Sequence, residues 1–232
     1  MIGKGWKPHL AELVGTYLLV LFAAGAVVVT ARIDGTPNAI VCGLSSGLIL
    51  AVVISIFISV SGAHVNPALT IALAYLARFP WRSVPGYVLA QLVGSAAGGL
   101  TVLWAIGDFA SVGANIPNAA LGVSGGGALA LEIVLSFIMM MVILLCGDSE
   151  EIVIHAGAIR IGAIVGIEVL LFGPIAGAAM NPARAFGPYL AMGDWSNFWI
   201  YALGPVTGCV AAAAVYRRAA VWASERVQAQ SK

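Results

Sequence analysis

The sequence predicts an all-α membrane protein: six transmembrane helices and two re-entrant half-helices, arranged as an inverted repeat. Three observations carry this. Of 232 residues, 61% are hydrophobic and only 9% charged, against about 25% charged in soluble domains. The apolar residues gather in six runs of bilayer length, which takes about 20 residues. The triplet Asn-Pro-Ala occurs twice, at Asn66-Pro67-Ala68 and Asn181-Pro182-Ala183, and each time opens an apolar stretch too short to cross. A net charge of +1 argues against a nucleic-acid partner, which calls for a basic patch.

The elements follow in chain order. Residues 1–8 are basic, and the apolar run behind them spans without a clear cleavage site, so no signal peptide is expected. Span one covers about His9 to Thr30. A turn over Ala31 to Asn38 holds Asp34-Gly35 and Pro37, and span two covers about Ala39 to Val60. Asn is a favoured N-cap and Pro a favoured first helical residue, so Asn66 starts a half-helix that runs to about Ala77. Span three is Ser83 to Ile106. Gly107 to Gly127 is weakly periodic and reads as a loop. Span four is Ala128 to Cys146, followed by an acidic segment with Asp148, Glu150 and Glu151. Span five is Ala156 to Phe172, the second half-helix Asn181 to Met192, and span six Phe198 to Trp222, with a polar tail. Cys42, Cys146 and Cys209 sit in apolar runs and read as buried small hydrophobes without a disulfide.

Six spans put both termini on one side. Nine of the eleven basic residues then share that side, with only Arg32 and Arg184 opposite. The positive-inside rule makes the shared side cytoplasmic in a multi-pass cell-membrane protein.

The halves repeat, about 9–106 and about 128–222 within a single domain over 1–232. Glu12 and Glu132 open corresponding spans at an offset of 120, the Asn-Pro-Ala triplets at 115, and Gly94 and Gly208 at 114. Three spans per repeat turn the second copy upside down, so the half-helices enter from opposite faces and meet. Gly43/Gly47, Gly94/Gly98, Gly162/Gly166 and Gly204/Gly208 are small-xxx-small pairs and mark helix contacts. Trp104, Trp195, Trp199 and Trp222 fall near span ends, as interfacial aromatics do.

The doubled Asn-Pro-Ala, the Glu near the start of each half and Arg184 after the second triplet resemble the aquaporin, or major intrinsic protein, family over nearly the whole chain. Arg78-Phe79-Pro80-Trp81 and Gly173-Pro174-Ile175 further resemble the nodulin-like intrinsic proteins of plants and their bacterial relatives. The resemblance implies a constriction at Ser46, Val169, Ala178 and Arg184. Ser46 departs from the Trp of many plant nodulin-like channels, and Ser46 and Val169 depart from the aromatic and His of strict water channels. Glu12 and Glu132 are then scaffold acids holding irregular backbone before the half-helices. A homotetramer with one pore per subunit is also implied.

Chemistry of the residues agrees. Helix N-termini present free N–H groups and about half an elementary positive charge, so two facing ends repel cations. The Asn66 and Asn181 amides can each donate to a passing water. Arg184, in the membrane, is expected to line a wet cavity. Glu168 is one residue, about 100°, from Val169, so it should face beside the pore, protonated or hydrogen-bonded to a neighbouring span. His64 is expected to pack in the cytoplasmic vestibule rather than gate it, and His155 falls in the acidic cytoplasmic loop, where a pH gate is the lesser reading. No metal-ligand cluster, phosphate loop or Ser–His pair occurs, so neither a cofactor nor enzymatic activity is expected. The reading is a passive channel for small uncharged solutes (water, glycerol, urea, and boric, arsenous or silicic acid). A strict water channel is the alternative, and a secondary transporter a remoter one, since inverted repeats with broken helices also build transporters.

Overall fold

A computed structural model describes residues 5–146 and 152–230. Asp148, Glu150 and Glu151 lie outside the described residues, as does the side chain of His155. The elements are α1 (Lys7–Asp34), α2 (Ala39–Ser61), α3 (Pro67–Tyr75), α4 (Val84–Ile106), α5 (Gly125–Cys146), α6 (Ile152–Ala176), α7 (Pro182–Met192) and α8 (Phe198–Gln230). Among the described residues, six helices are long and apolar enough to cross a membrane, and no strand is present.

Local chemistry sets the boundaries. The Asn38 carboxamide accepts from the N–H groups of Ile40 and Val41 to start α2, and Gly62, at φ +86°, ends it. α3 stops two residues before its expected end, because Arg78 and Phe79 both donate backwards to the Leu73 carbonyl and Ala77 turns at φ +57°. α6 runs four residues past its expected end, through Pro174, and closes with Gly177 N donating to Gly173 O. The expected polar tail is instead a continuation of α8 to Gln230. Beyond Trp222 it carries no Gly or Pro and is rich in Ala, Glu, Gln and Arg, all good helix formers.

Backbones approach where the glycine pairs stand. A Cβ on Gly47 would lie 2.5 Å from the Gly162 carbonyl, and one on Gly162 would lie 2.4 Å from the Gly47 carbonyl, which locks α2 on α6. A Cβ on Gly94 would meet Leu13 O at 2.1 Å, and one on Gly208 would meet Ile133 O at 2.2 Å. These are the same contact in the two halves, α1 on α4 and α5 on α8. Long apolar side chains such as Leu48, Leu89, Ile167 and Leu203 point outward, as a lipid-facing surface requires. Cys42 and Cys209 are buried and Cys146 is half-buried.

α3 and α7 begin in the middle of the bundle and head to opposite faces. Arg78 stacks on Tyr216 at one face, with Arg217 over Tyr75 beside it. At the other face Arg32 donates to the Ile106 carbonyl at 2.7 Å.

Candidate functional site

The centre of the molecule is two five-residue approaches to two helices, built alike. Asn66 has φ −154° and ψ 117°, and Asn181 has φ −154° and ψ 110°. Ahead of each, two non-glycine residues take left-handed backbone: Ala63 and Val65 at +48° and +40°, Ala178 and Met180 at +47° and +52°. Each such residue costs about 1–2 kcal/mol, so something must hold them. Glu12, fully buried, accepts from His64 N (2.9 Å), Val65 N (2.7 Å), Ser61 Oγ (2.7 Å) and Gln91 Nε2 (2.7 Å). Glu132, also fully buried, accepts from Ala179 N (2.7 Å) and Met180 N (2.8 Å). Each carboxyl thus bridges the two central N–H groups of one irregular approach.

The asparagines then cross-link the approaches. Asn66 Nδ2 donates to Met180 O at 2.9 Å, and Asn181 Nδ2 donates to Val65 O at 2.8 Å. Each Oδ1 caps its own helix: Asn66 receives Ala68 N, and Asn181 receives Ala183 N and Arg184 N. This narrows one expectation and corrects another. One of the two amide protons on each Asn is committed to the opposing backbone, which leaves one for a passing molecule. The first N–H groups of α7 are not free either, since Ala183 and Arg184 go to Asn181 Oδ1, Ala185 to Asn181 O, and Pro182 has none. The positive end that remains is that of the helix dipole.

Beside this junction runs a cavity of about 370 Å³. Its wall is chiefly Leu19, Leu50, Ile54, Ile58, Leu69, Met139, Ile143, Ile161 and Val165. Its polar lining is few: Ser46, His64, Asn66, Asn181 and Arg184. Val169 and Ala178 line it too, so the four residues at which a constriction was expected border one space. Glu12, Glu132 and Glu168 do not.

Arg184 is 9% exposed and its Nη1 donates to Gly113 O and to Asn115 Oδ1, both at 3.0 Å. Of five guanidinium donors, three remain for other partners. Asn115 was not legible beforehand. It lies in the segment read as a loop, yet Nδ2 donates to Gly177 O at 2.7 Å and its carbonyl receives Tyr189 OH at 2.7 Å. Part of the segment folds inward: Val112 is fully buried, and a Cβ on Gly113 would sit 2.6 Å from Ala24 O. Its only sequence signal was a run of Gly and Asn suited to left-handed backbone.

His64 both packs and lines the cavity. Its ring meets Phe79 edge-on, with centroids 4.9 Å apart, and tilts on Tyr87 at 5.2 Å. Thr70 Oγ1 gives its proton to Asn66 O and receives Gln91 Nε2, so it can only accept from His64 Nδ1, at 3.1 Å. That fixes the tautomer and leaves Nε2 as an acceptor. Glu168 is buried off the cavity, and neither carboxyl oxygen has a hydrogen-bond partner among the described residues, so of the two expected states, protonated or hydrogen-bonded to a neighbouring span, the second is not met.

Residues 3–216 match the family described as Major intrinsic protein. The chain belongs to that family. Aquaporin NIP3-1 of Zea mays is 37% identical over 207 residues, covering 89% of this chain and 68% of that protein. A probable aquaporin, NIP-type, of Nicotiana alata is 36% identical over 209 residues, covering 89% and 75%. Among solved structures, the aquaglyceroporin from Plasmodium falciparum superposes with a TM-score of 0.81 at 26% identity, over 90% of this chain and 94% of that one. Within the family, the chain has the six apolar helices and two half-helices laid out above.

Proposed function

We propose that this major intrinsic protein is a passive transmembrane channel for small uncharged solutes: water, glycerol, urea, and metalloid acids such as boric, arsenous or silicic acid. It excludes protons and ions. The observation that carries the reading is the cavity shared by Ser46, Val169, Ala178, Arg184 and the two cross-linked asparagines. Two helix dipoles aim their positive ends at its middle, which disfavours cations. Anions would lose hydration that one Arg184, already donating twice to the protein, does not replace. Three small residues at the constriction leave room for a compact polyol, and the three remaining Arg184 donors with Ser46 supply hydroxyl contacts.

The sequence likeness to plant proteins named as NIP aquaporins supports a place with the nodulin-like subgroup, which we extend to its bacterial relatives. The likeness to an aquaglyceroporin structure supports solutes larger than water. By its basic residues the protein sits in the cell membrane with both termini cytoplasmic. It assembles as a homotetramer with one pore per subunit, through the outward apolar faces.

The test is stopped-flow flux in proteoliposomes, wild type against Ser46→Phe with Val169→His. The double variant narrows the constriction, so it should keep passing water while glycerol and urea flux fall by tenfold or more, taking steric overpacking at about 1.4 kcal/mol or above. A wild type that passes water and nothing larger would make the protein a strict water channel.

A further inference from the structure

Glu168 is the one buried acid to which the structure gives no bonding role. It is 3% exposed, and neither its two oxygens nor Ser136 Oγ finds a hydrogen-bond partner among the described residues. An unbonded buried hydroxyl alone costs about 1–3 kcal/mol, and a carboxyl more.

Helix geometry puts the two groups together. On α6 the cavity-facing residues are Ala158, Ile161, Val165 and Val169. Glu168 is three residues beyond Val165, so about 60° to one side of it. Gly162 and Gly166 lie on the opposite side of that stripe, against α2. Glu168 therefore faces the wedge between α6, α5 and α8, at the margin of the lumen wall. The register of α5 on α6 follows from Gly157, whose Cβ would touch Cys146. Going on from Gly157 to Glu168 (168 − 157 = 11) and back from Cys146 to Ser136 (146 − 136 = 10) reaches the same height. From α8 comes Cys209, whose thiol donates to Ser136 O at 3.7 Å and which is within electrostatic reach of Glu168. The other acid near Glu168 is Glu132, one turn from Ser136 and already bonded to the Ala179 and Met180 N–H groups. The wedge thus holds a carboxyl and a hydroxyl that the described residues leave unbonded, one residue along α6 from cavity-lining Val169.

We propose that Glu168 and Ser136 form a polar niche at the margin of the lumen wall, beside Val169, that binds a neutral hydroxyl group, which makes Glu168 a specificity-determining residue beside the constriction. The hydroxyl is a lumen water or belongs to a permeating solute. A carboxyl accepts and, when protonated, donates, and Ser does both, so a water or polyol hydroxyl matches both groups. The selectivity role rests on the channel reading above; the binding role does not.

Infrared difference spectra of the protein in lipid nanodiscs test the binding role. The band lost in Glu168→Gln identifies the Glu168 carboxyl. It should sit at a hydrogen-bonded position, shift on exchange of water for deuterium oxide, and move toward an unbonded position in Ser136→Ala. A further shift on adding glycerol assigns the niche to solute hydroxyls; its absence assigns it to water. A Glu168 band at an unbonded position and blind to deuterium oxide overturns the proposal. The selectivity role is read as the ratio of urea to water flux. That ratio should fall about fivefold in Glu168→Leu, the loss of one neutral hydrogen bond, and stay within about twofold in Glu168→Gln. Equal ratios in all three proteins overturn the selectivity role. If wild type carries water alone, the channel reading for larger solutes fails while the infrared band still decides the niche.

Discussion

Glu12 and Glu132 occupy matching places, yet replacing each by Gln should cost different amounts. A glutamine amide keeps one acceptor oxygen and turns the other into a donor. At Glu132 that donor meets either Ala179 N or Met180 N, so one backbone N–H is orphaned and one charge-assisted bond becomes neutral. The orphan costs about 2 kcal/mol and the weakened bond about 1, for a total of about 3 kcal/mol. At Glu12 one backbone N–H is orphaned as well, His64 or Val65, but its partner on the same oxygen, Ser61 Oγ or Gln91 Nε2, also loses its acceptor, and two further bonds weaken where Glu132→Gln weakens one. One relief exists: Gln91 Oε1 has no partner, so the Gln91 amide can flip to accept from the new residue, although it then stops donating to Thr70. The expected cost at Glu12 is about 5 kcal/mol. A domain stable by 5–15 kcal/mol survives Glu132→Gln and is left marginal by Glu12→Gln. Equilibrium unfolding in mixed micelles, followed by tryptophan fluorescence, measures the difference. Equal destabilisation, or less than about 1 kcal/mol for either, would refute the view that these acids offset the left-handed backbone at Ala63, Val65, Ala178 and Met180.

Asn115→Ala removes the Arg184 contact and the bond to Gly177 O, which should cost about 2 kcal/mol of stability and lower solute flux as Arg184 loses its fixed orientation; Asn115→Asp, restoring only the Arg184 contact, should recover part of both in thermal melts and flux assays. Gly187→Ala places a Cβ 2.0 Å from the Ser95 carbonyl and should destabilise by about 1–3 kcal/mol through overpacking. Gly126→Ala, in open space on α5, should be neutral or stabilising by up to about 1 kcal/mol, and a comparison of melting temperatures checks the pair.

What the sequence made legible is what periodicity and local chemistry encode. Six apolar runs, two Asn-Pro helix starts and the glycine pairs each state their structure within a few residues, because a helix needs no distant partner for its hydrogen bonds. The offsets of 120, 115 and 114 differ by only a few residues, so symmetry was readable too. Tertiary partners of irregular backbone were not readable. Nothing local in Gly113 or Asn115 says that they meet Arg184, which lies 71 and 69 residues away. Likewise, the short stretches before the triplets, Gly62-Ala63-His64-Val65 and Gly177-Ala178-Ala179-Met180, read as ordinary chain, while the observed left-handed residues there are held by a glutamate 47 to 53 residues distant that fixes nearby N–H groups. The end of α8 was missed for the opposite reason: polarity suggested a tail where propensity alone sustains a helix.

The reciprocal asparagine bonds connect that scaffold to selectivity. Each Asn uses its oxygen on its own helix and one amide proton on the carbonyl of the opposing approach. The side chains cannot rotate without breaking both, so the remaining amide proton keeps a fixed direction. On the proposed channel reading, a water passing the junction accepts from two such donors, so it can only donate to the waters on either side and accept from neither, which is the orientation that hinders proton hopping. The acceptors that fix the donors, Val65 O and Met180 O, belong to the residues held by Glu12 and Glu132. On that reading proton exclusion depends on the buried acids: loosening either approach frees an asparagine amide to turn, and the leak of protons should rise with the destabilisation of Glu12→Gln more than with that of Glu132→Gln.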